Sequence, residues 1–280
     1  QDLRQTQHET AIMNLDRLKT YGWLALRLFG LAAVVGGVLA LGLLGWQWQS
    51  SVRMDRVAVT GARHVPADTV RHLARVDSGT VMEAIDGRLV ADRVERHPWV
   101  KTAAVTKQRA YGSLRIAVTE RTPAALVVDA SGRPAYYLDP AGYAMPCPGC
   151  TESTTYGALP DSAAADVPLV RGLGAEYHPL RRVAPPALRT ALTALPESGA
   201  DPLVAELAVR PDRTVRLVTA PIGPHGALPV RLGTGNIPAK LRRLRAFAEQ
   251  VLVTETDRPV GEIDLRFDGQ VVTRERPLDG

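Results

Sequence analysis

Residues 28–46 form an uncharged apolar run, LFGLAAVVGGVLALGLLGW, which limits what the chain can fold into more than any other feature. As an α-helix these 19 residues would extend about 28 Å, close to the thickness of the hydrocarbon core of a bilayer. Aromatic residues, which favour the two membrane interfaces, flank the run at Tyr21, Trp23, Trp46 and Trp48. We therefore predict one transmembrane helix over residues 23–48.

A cleavable signal peptide is the alternative to an uncleaved anchor. The apolar region of a signal peptide is shorter and ends in small residues at an A-x-A-like site. This run ends in Gly45-Trp46-Gln47-Trp48 and has no such site, which favours the uncleaved anchor.

The orientation of the anchor follows from the lengths of the segments on its two sides. The flanking charges differ little, with Arg17, Lys19 and Arg27 before the run and Arg53 and Arg56 after it. A long folded domain is translocated with little regard to its charge. We therefore expect the short tail, residues 1–22, in the cytoplasm and residues 50–280 on the outer side of the cytoplasmic membrane, the inner membrane of the cell.

Composition excludes several functional classes. The chain is 45% hydrophobic, which excludes a mainly disordered protein, and its two Cys residues exclude a disulfide-rich scaffold and a zinc site of three or four thiolates. Its 34 Lys and Arg residues are scattered among 29 acidic residues, so no basic stripe indicates a nucleic-acid partner.

The motifs of catalytic and cofactor-binding sites are absent from the sequence. The six His residues include no i, i+4 pair, and neither a Gly-x-Ser-x-Gly elbow nor a phosphate-binding Walker loop occurs. We therefore predict that the protein is not an enzyme, and we expect no cofactor, no metal and no small-molecule substrate.

Cys147-Pro148-Gly149-Cys150 is the one enzyme-like signature. A C-x-x-C pair can act as a redox dithiol when a helix N-terminus stabilises the first thiolate. Here a Thr- and Ser-rich stretch without a helical pattern follows the pair, so Cys147 and Cys150 are interpreted as a small structural disulfide or as two free thiols.

After the anchor the chain alternates between short strands and short amphipathic helices, as α+β modules do. The pattern predicts a strand at 56–59, a helix that begins at Pro66, a second helix at 87–96, and strands at 100–105 and 114–118. The order strand, helix, helix, strand, strand therefore takes about 70 residues, a typical length for a small module.

These residues resemble the POTRA domain of the bacterial FtsQ/DivIB cell-division proteins. The matching pieces are residues 57–61 (VAVTG), 97–101 (HPWVK) and 120–124 (ERTPA), in this order behind an N-terminal anchor. The second, β-rich domain of that family is matched by residues 137–142 (YLDPAG), 167–172 (VPLVRG) and 262–267 (EIDLRF). The resemblance implies an α+β fold with a POTRA domain at 53–121, an FtsQ-type β domain at 122–276 and a C-terminal tail at 277–280.

The β-rich part also carries its own pattern. Helices fit residues 184–195 and 237–252, and the second has apolar residues on one face and Arg242, Arg243 and Arg245 directed away. Strands fit residues 203–209, 213–219 and 227–232, and residues 146–165 are typical of a long exposed loop.

By resemblance, the protein recruits and holds other membrane proteins of the division machinery at the septum, especially the small bitopic coiled-coil proteins FtsB and FtsL. The alternative is a POTRA protein for outer-membrane insertion or secretion. Such proteins carry a C-terminal barrel of many alternating strands, which this sequence does not contain.

The last strands are the predicted partner site. Residues 262–267 alternate, with Ile263, Leu265 and Phe267 on the apolar face, and Asp268-Gly269 is a hairpin signal that returns the chain over 270–274. A strand at the end of the chain is expected at a sheet edge, where a partner strand can be added. The resemblance implies FtsB docking here, so the predicted site comprises Asp264, Arg266, Phe267, Gln270, Val271, Val272, Thr273 and Arg274. We expect Arg266 to bind a partner carboxylate and Phe267 to give apolar contact; the alternative is a purely structural closing hairpin.

Overall fold

The computed structural model describes residues 23, 26–47, 52–147, 150, 165–173, 177–254 and 260–275. The chain divides into two compact units. The first contains the described residues of 1–56, 77–85 and 108–113, and the second those of 57–76, 86–107 and 114–280. The predicted tails, 1–22 and 277–280, and most of the predicted loop at 146–165 lie outside the described residues.

The first unit contains helix α1, Leu26–Gln47, which is long and apolar enough to cross a membrane. Its most apolar window has a mean hydropathy of 2.3, and no residue in that window is buried. A helix that exposes apolar side chains on all sides needs an apolar surrounding to cover them. Among the described residues α1 is the single helix with this length and composition, in agreement with the prediction of one span.

A three-stranded sheet is formed by residues that come after α1 in the chain. Its strands are β1 (Arg56–Thr60), β2 (Val100–Gln108) and β3 (Ser113–Glu120), in the order β1-β3-β2. Helices α2 (Ala67–Ala74) and α3 (Gly87–Glu95) lie between β1 and β2 in the chain, and the Asp86 carboxylate caps α3. The predicted order of strands and helices is confirmed. In β3, Leu114, Ile116 and Val118 are buried at alternate positions, as the pattern predicted.

The loop after β1 is held by a carboxylate. Glu120 Oε1 accepts hydrogen bonds from the backbone N–H groups of Arg63, His64 and Val65, at 2.8 to 3.0 Å, and its Oε2 lies 2.8 Å from His64 Nδ1. Burial tends to raise the pKa of Glu120, but these hydrogen bonds outweigh it, and the pKa lies below its ordinary value. The charged form of Glu120 therefore fixes this loop.

Trp99 connects the two predicted domains within the second unit. Its side chain is fully buried, as its apolar bulk predicts, and its indole Nε1 donates to the carbonyl of Pro146 at 2.9 Å. Its ring also meets that of Tyr137 edge-on, with the centroids 6.4 Å apart. The residue directly before β2 is therefore tied to the strand-rich part of the chain.

The strand-rich part contains one sheet of nine strands, in the order β12-β11-β10-β9-β8-β7-β4-β5-β6. Its strands in chain order are β4 (Ala125–Val128), β5 (Pro134–Leu138), β6 (Ala144–Met145), β7 (Leu169–Arg171), β8 (Val204–Val209), β9 (Val215–Thr219), β10 (Pro229–Gly233), β11 (Val260–Asp264) and β12 (Val272–Glu275). The β4-β7, β7-β8 and β10-β11 pairs are parallel and the others antiparallel.

Helices α4 (Pro186–Ser198) and α5 (Ile237–Phe247) pack together, and their apolar side chains join the strands in one core. A π-helical turn, Ala248–Leu252, continues α5 and completes the predicted helical stretch to residue 252. Helix α4 begins two residues later than predicted, because Pro185 is extended and Pro186 takes the first helical position. It also continues past Leu195 and ends only at Gly199, whose φ of +64° breaks the helix.

Candidate functional site

The candidate partner site lies at one edge of the nine-stranded sheet. Strand β11 pairs with β10 on one side and with β12 on the other, and β12 is the edge strand. All four residues of β12 are exposed. The far side of β12 therefore presents backbone groups that pair with no strand in the described part of the chain.

Strand β11 is shorter than the alternation predicted. Ile263 and Leu265 are buried as expected, but the strand ends at Asp264, and Phe267 lies beyond it. The expectation that Phe267 shares the apolar face of a continuous strand is therefore wrong. Its side chain is 51% exposed, which leaves its ring accessible from solvent.

Asp264 is buried, contrary to its predicted place on the polar face. Only 4% of it is exposed, and its carboxylate binds Arg266 with Nη2–Oδ2 at 2.6 Å and Nε–Oδ1 at 3.0 Å. The hydrogen bonds from the Arg266 side chain hold the pKa of Asp264 below its ordinary value, although burial opposes them. Asp264 therefore has a structural role within the chain, as the buried partner of Arg266.

Arg266 is consequently not the free cation that was expected for a partner carboxylate. Its Nε and Nη2 are engaged by Asp264, and the same contact raises the pKa of its guanidinium. A Cβ on Gly233 would lie 2.8 Å from Cγ of Arg266, so the glycine leaves room for the arginine stem beside the end of β10. The guanidinium nevertheless remains half exposed beside the Phe267 ring, 6.0 Å from its centroid.

The turn between β11 and β12 is the one the sequence predicted, at Asp268-Gly269. Gly269 has φ +75°, and the N–H of Gln270 donates to the carbonyl of Phe267 at 3.4 Å. Arg243 of α5 adds a contact from outside the turn, with Nη1 3.3 Å from both the Phe267 and the Gln270 carbonyl oxygens. Arg243 was predicted to point into solvent; it is half-buried and supports the turn instead.

A charged row connects the last three strands. Arg231 of β10 donates to Glu262 of β11, and Arg274 of β12 lies 3.4 Å from the other oxygen of Glu262. Sequence reasoning missed Arg231, Glu262 and Arg243, because no motif indicates which polar residues of distant segments meet. The strand order brings Arg231, Glu262 and Arg274 together, and the packing of α5 places Arg243 at the turn.

Six of the eight predicted site residues are exposed: Arg266, Phe267, Gln270, Val272, Thr273 and Arg274. The other two are not, since Asp264 is buried and Val271 is half-buried against the core. The returning strand itself starts at Val272, two residues after the expected position. The exposed part of the predicted site therefore consists of the residues around the turn and those of β12.

Cys147 and Cys150 are joined by a disulfide, with their Cα atoms 5.4 Å apart. Within the described residues no group of three His, Cys, Asp or Glu side chains is arranged to hold a metal ion.

Comparison with known proteins gives the family. The family model described as "POTRA domain, FtsQ-type" matches residues 52–121 of this chain. The chain is 59% identical over 271 residues to the Cell division protein FtsQ of Salinibacter ruber, covering 96% of this chain and 100% of that relative. It is 43% identical over 249 residues to the protein of the same name from Rhodothermus marinus, and the match covers 88% of this chain and 86% of that relative. A third FtsQ, from a Geobacter species, is 28% identical over 241 residues, covering 81% and 79%. With one apolar helix, a POTRA match and these relatives over almost its whole length, the chain belongs to the FtsQ family of cell-division proteins.

Proposed function

We propose that this protein is a bitopic scaffold of the bacterial division machinery, which recruits other septal membrane proteins through its extracytoplasmic domains. Its N-terminus lies in the cytoplasm, α1 crosses the cytoplasmic membrane, and the POTRA and β domains lie outside at the septum. The division role of the relatives and the apolar, fully exposed α1 support this assignment over outer-membrane insertion.

The partners that we propose are small bitopic coiled-coil proteins of the FtsB and FtsL type, and they dock on β12. The observation that carries this proposal is that β12 is a fully exposed edge strand. An extended partner segment adds to such an edge through backbone hydrogen bonds, and side-chain contacts select the partner. Phe267 and Val272, both exposed, supply the apolar contacts at the start of this strand.

Two proline variants test the docking. Along an antiparallel edge strand successive N–H groups face alternately the neighbouring strand and the open side. Val272→Pro and Thr273→Pro therefore remove one N–H of each kind. We expect one variant to weaken β12 pairing with β11, and the other to keep the melting temperature and circular dichroism of the full chain while losing co-purification of an FtsB-type partner.

The matched control for side-chain recognition is Phe267→Ser, which leaves every backbone N–H in place and removes only the ring. It should weaken partner co-purification less completely than the folded proline variant. The docking proposal is overturned if the folded proline variant still retains its partner. The broader scaffold proposal has its own test, since a fluorescent fusion of the wild-type chain should collect at midcell, and uniform envelope staining would contradict it.

A further inference from the structure

An open cavity of about 720 Å³ lies far along the sheet from β12. It is formed where the three neighbouring parallel strands β4, β7 and β8 begin, and the C-terminal half of α4 lies beside it. Three strands, β9, β10 and β11, separate β8 from β12 in the sheet order. The cavity is therefore a different surface from the proposed docking edge, and the inference drawn from it does not depend on that proposal.

The wall of this cavity is poor in hydrogen-bond donors. Five prolines line it: Pro123, Pro140, Pro168, Pro196 and Pro202. Proline has no N–H, and inside a helix it also leaves the carbonyl four residues earlier without its usual donor. Because Pro196 lies within α4, that carbonyl belongs to Leu192, which lines the same cavity.

The charge of the cavity has one sign. Asp166 and Asp201 lie in its lining and are exposed, whereas no Lys, Arg or His of the described part of the chain lines it. Within the described residues neither carboxylate forms an ion pair. Asp201 acts electrostatically on Arg245, but that guanidinium lies outside the lining and is hydrogen-bonded to Glu249.

The end of α4 adds to this negative character. Leu195 and Pro196, in the last turns of this 13-residue helix, line the cavity. The last carbonyl groups of a helix carry a partial negative charge that favours cations. The carboxylates, the helix C-terminus and the five prolines, which lack an N–H, therefore all favour a ligand that donates hydrogen bonds and carries positive charge.

We propose that this cavity docks an extended peptide segment of a partner protein, which presents an Arg or Lys side chain to Asp166 and Asp201. The neighbouring residues of the peptide pack on the proline surfaces. The volume of the cavity lies within the range of about 300 to 1,000 Å³ that is typical of ligand sites, and it exceeds what one side chain fills. The apolar proline and leucine walls match the aliphatic stem and flanking residues, and the acidic rim matches the cation.

The test uses the full-length chain in detergent and an array of labelled hexapeptides of Ala, Pro and Val that differ at one central position. That position carries Arg, Lys, Gln, Glu or citrulline, which has the shape of arginine without its charge. We expect Arg and Lys peptides to bind about tenfold more tightly than citrulline and Gln peptides, because hydrogen bonds to charged groups are stronger.

Variants connect this preference to the cavity. Asp166→Asn combined with Asp201→Asn should abolish the tighter binding of the Arg and Lys peptides. The circular dichroism should not change, since both side chains are exposed. Asp92→Asn, at an exposed position of α3 outside the cavity, is the matched control and should keep the preference.

Several outcomes would overturn the proposal. Equal binding of the citrulline and Arg peptides would remove the charge argument, and a preference that survives the double Asn variant would place the contact elsewhere. If no peptide of the array binds, the cavity is not a peptide site. If arginine amide binds as tightly as the Arg hexapeptide, the ligand of this cavity is a small organic cation and not a peptide.

Discussion

Asp264 and Arg266, two residues apart at the end of β11, form a paired carboxylate and guanidinium in which the backbone N–H of Arg266 also donates to Asp264 Oδ1 at 3.0 Å. Three donors of one residue thus converge on one buried carboxylate. This local structure ends the strand and directs the chain into the turn that precedes β12. The pair therefore shapes the proposed docking edge from within the chain.

Replacement of Arg266 with Gln should lower the melting temperature of the full chain, because the buried Asp264 carboxylate loses its charged donors. Arg266→Lys should restore only part of the loss, since an ammonium does not reproduce the planar guanidinium contact. Arg242→Gln, at an exposed position of α5, is the control. Thermal unfolding followed by circular dichroism measures the three variants, and equal melting temperatures for wild type and Arg266→Gln would contradict the structural role.

Glu120→Gln should destabilise the loop after β1 in a pH-dependent way. The pKa of Glu120 lies below its ordinary value, so its contribution to stability is present above the unfolded-state pKa, about 4.3. It disappears as the pH falls through the lower folded-state value. The difference in melting temperature between wild type and variant should therefore be large at pH 7 and decrease below about pH 4. A difference that stays constant down to pH 3 would show that the charge of Glu120 is unimportant, and Glu197→Gln, at an exposed position, should show little difference at either pH.

Val38→Arg, in the middle of α1, should deplete the protein from membranes. A central Arg costs about 2.5 to 3.5 kcal/mol of insertion free energy on translocon-based scales. Val38→Leu keeps the apolar surface and should insert normally. Fractionation followed by carbonate extraction distinguishes them, and an Arg variant that stays carbonate-resistant would mean that α1 is not the span.

Gly61→Ala should be more destabilising than Gly79→Ala, although both glycines have a positive φ, +83° and +86°. An added Cβ at Gly61 would collide with the carbonyl oxygen of Val118, whereas at Gly79 it would meet nothing within 4 Å. At Gly79 we expect the alanine to cost about 1 kcal/mol in the free energy of unfolding, from the backbone conformation alone. At Gly61 strain and overpacking together should cost about 2 to 5 kcal/mol in the free energy of unfolding. Equal costs in urea unfolding would contradict the close approach of β3.

Much of the fold was predictable because its signals are local. The apolar run, the alternating residues of β3 and the one-sided apolar face of α5 each depend on neighbours within a few positions, where periodicity reports burial directly. The family motifs were equally readable, since glycine, proline and tryptophan act through backbone geometry and bulk at their own positions.

What the sequence by itself determined is therefore the long apolar helix, the order of helices and strands in the POTRA-like residues, and the family. Tertiary structure alone decided that Asp264 is buried, that Arg266 is paired within the chain, and that Arg243 supports the turn before β12. It also decided that Asp166 and Asp201, 35 residues apart in the chain, line one cavity. The physical reason is that the burial and pairing of polar groups depend on which distant segments the sheet order brings together, and no local periodicity encodes that order.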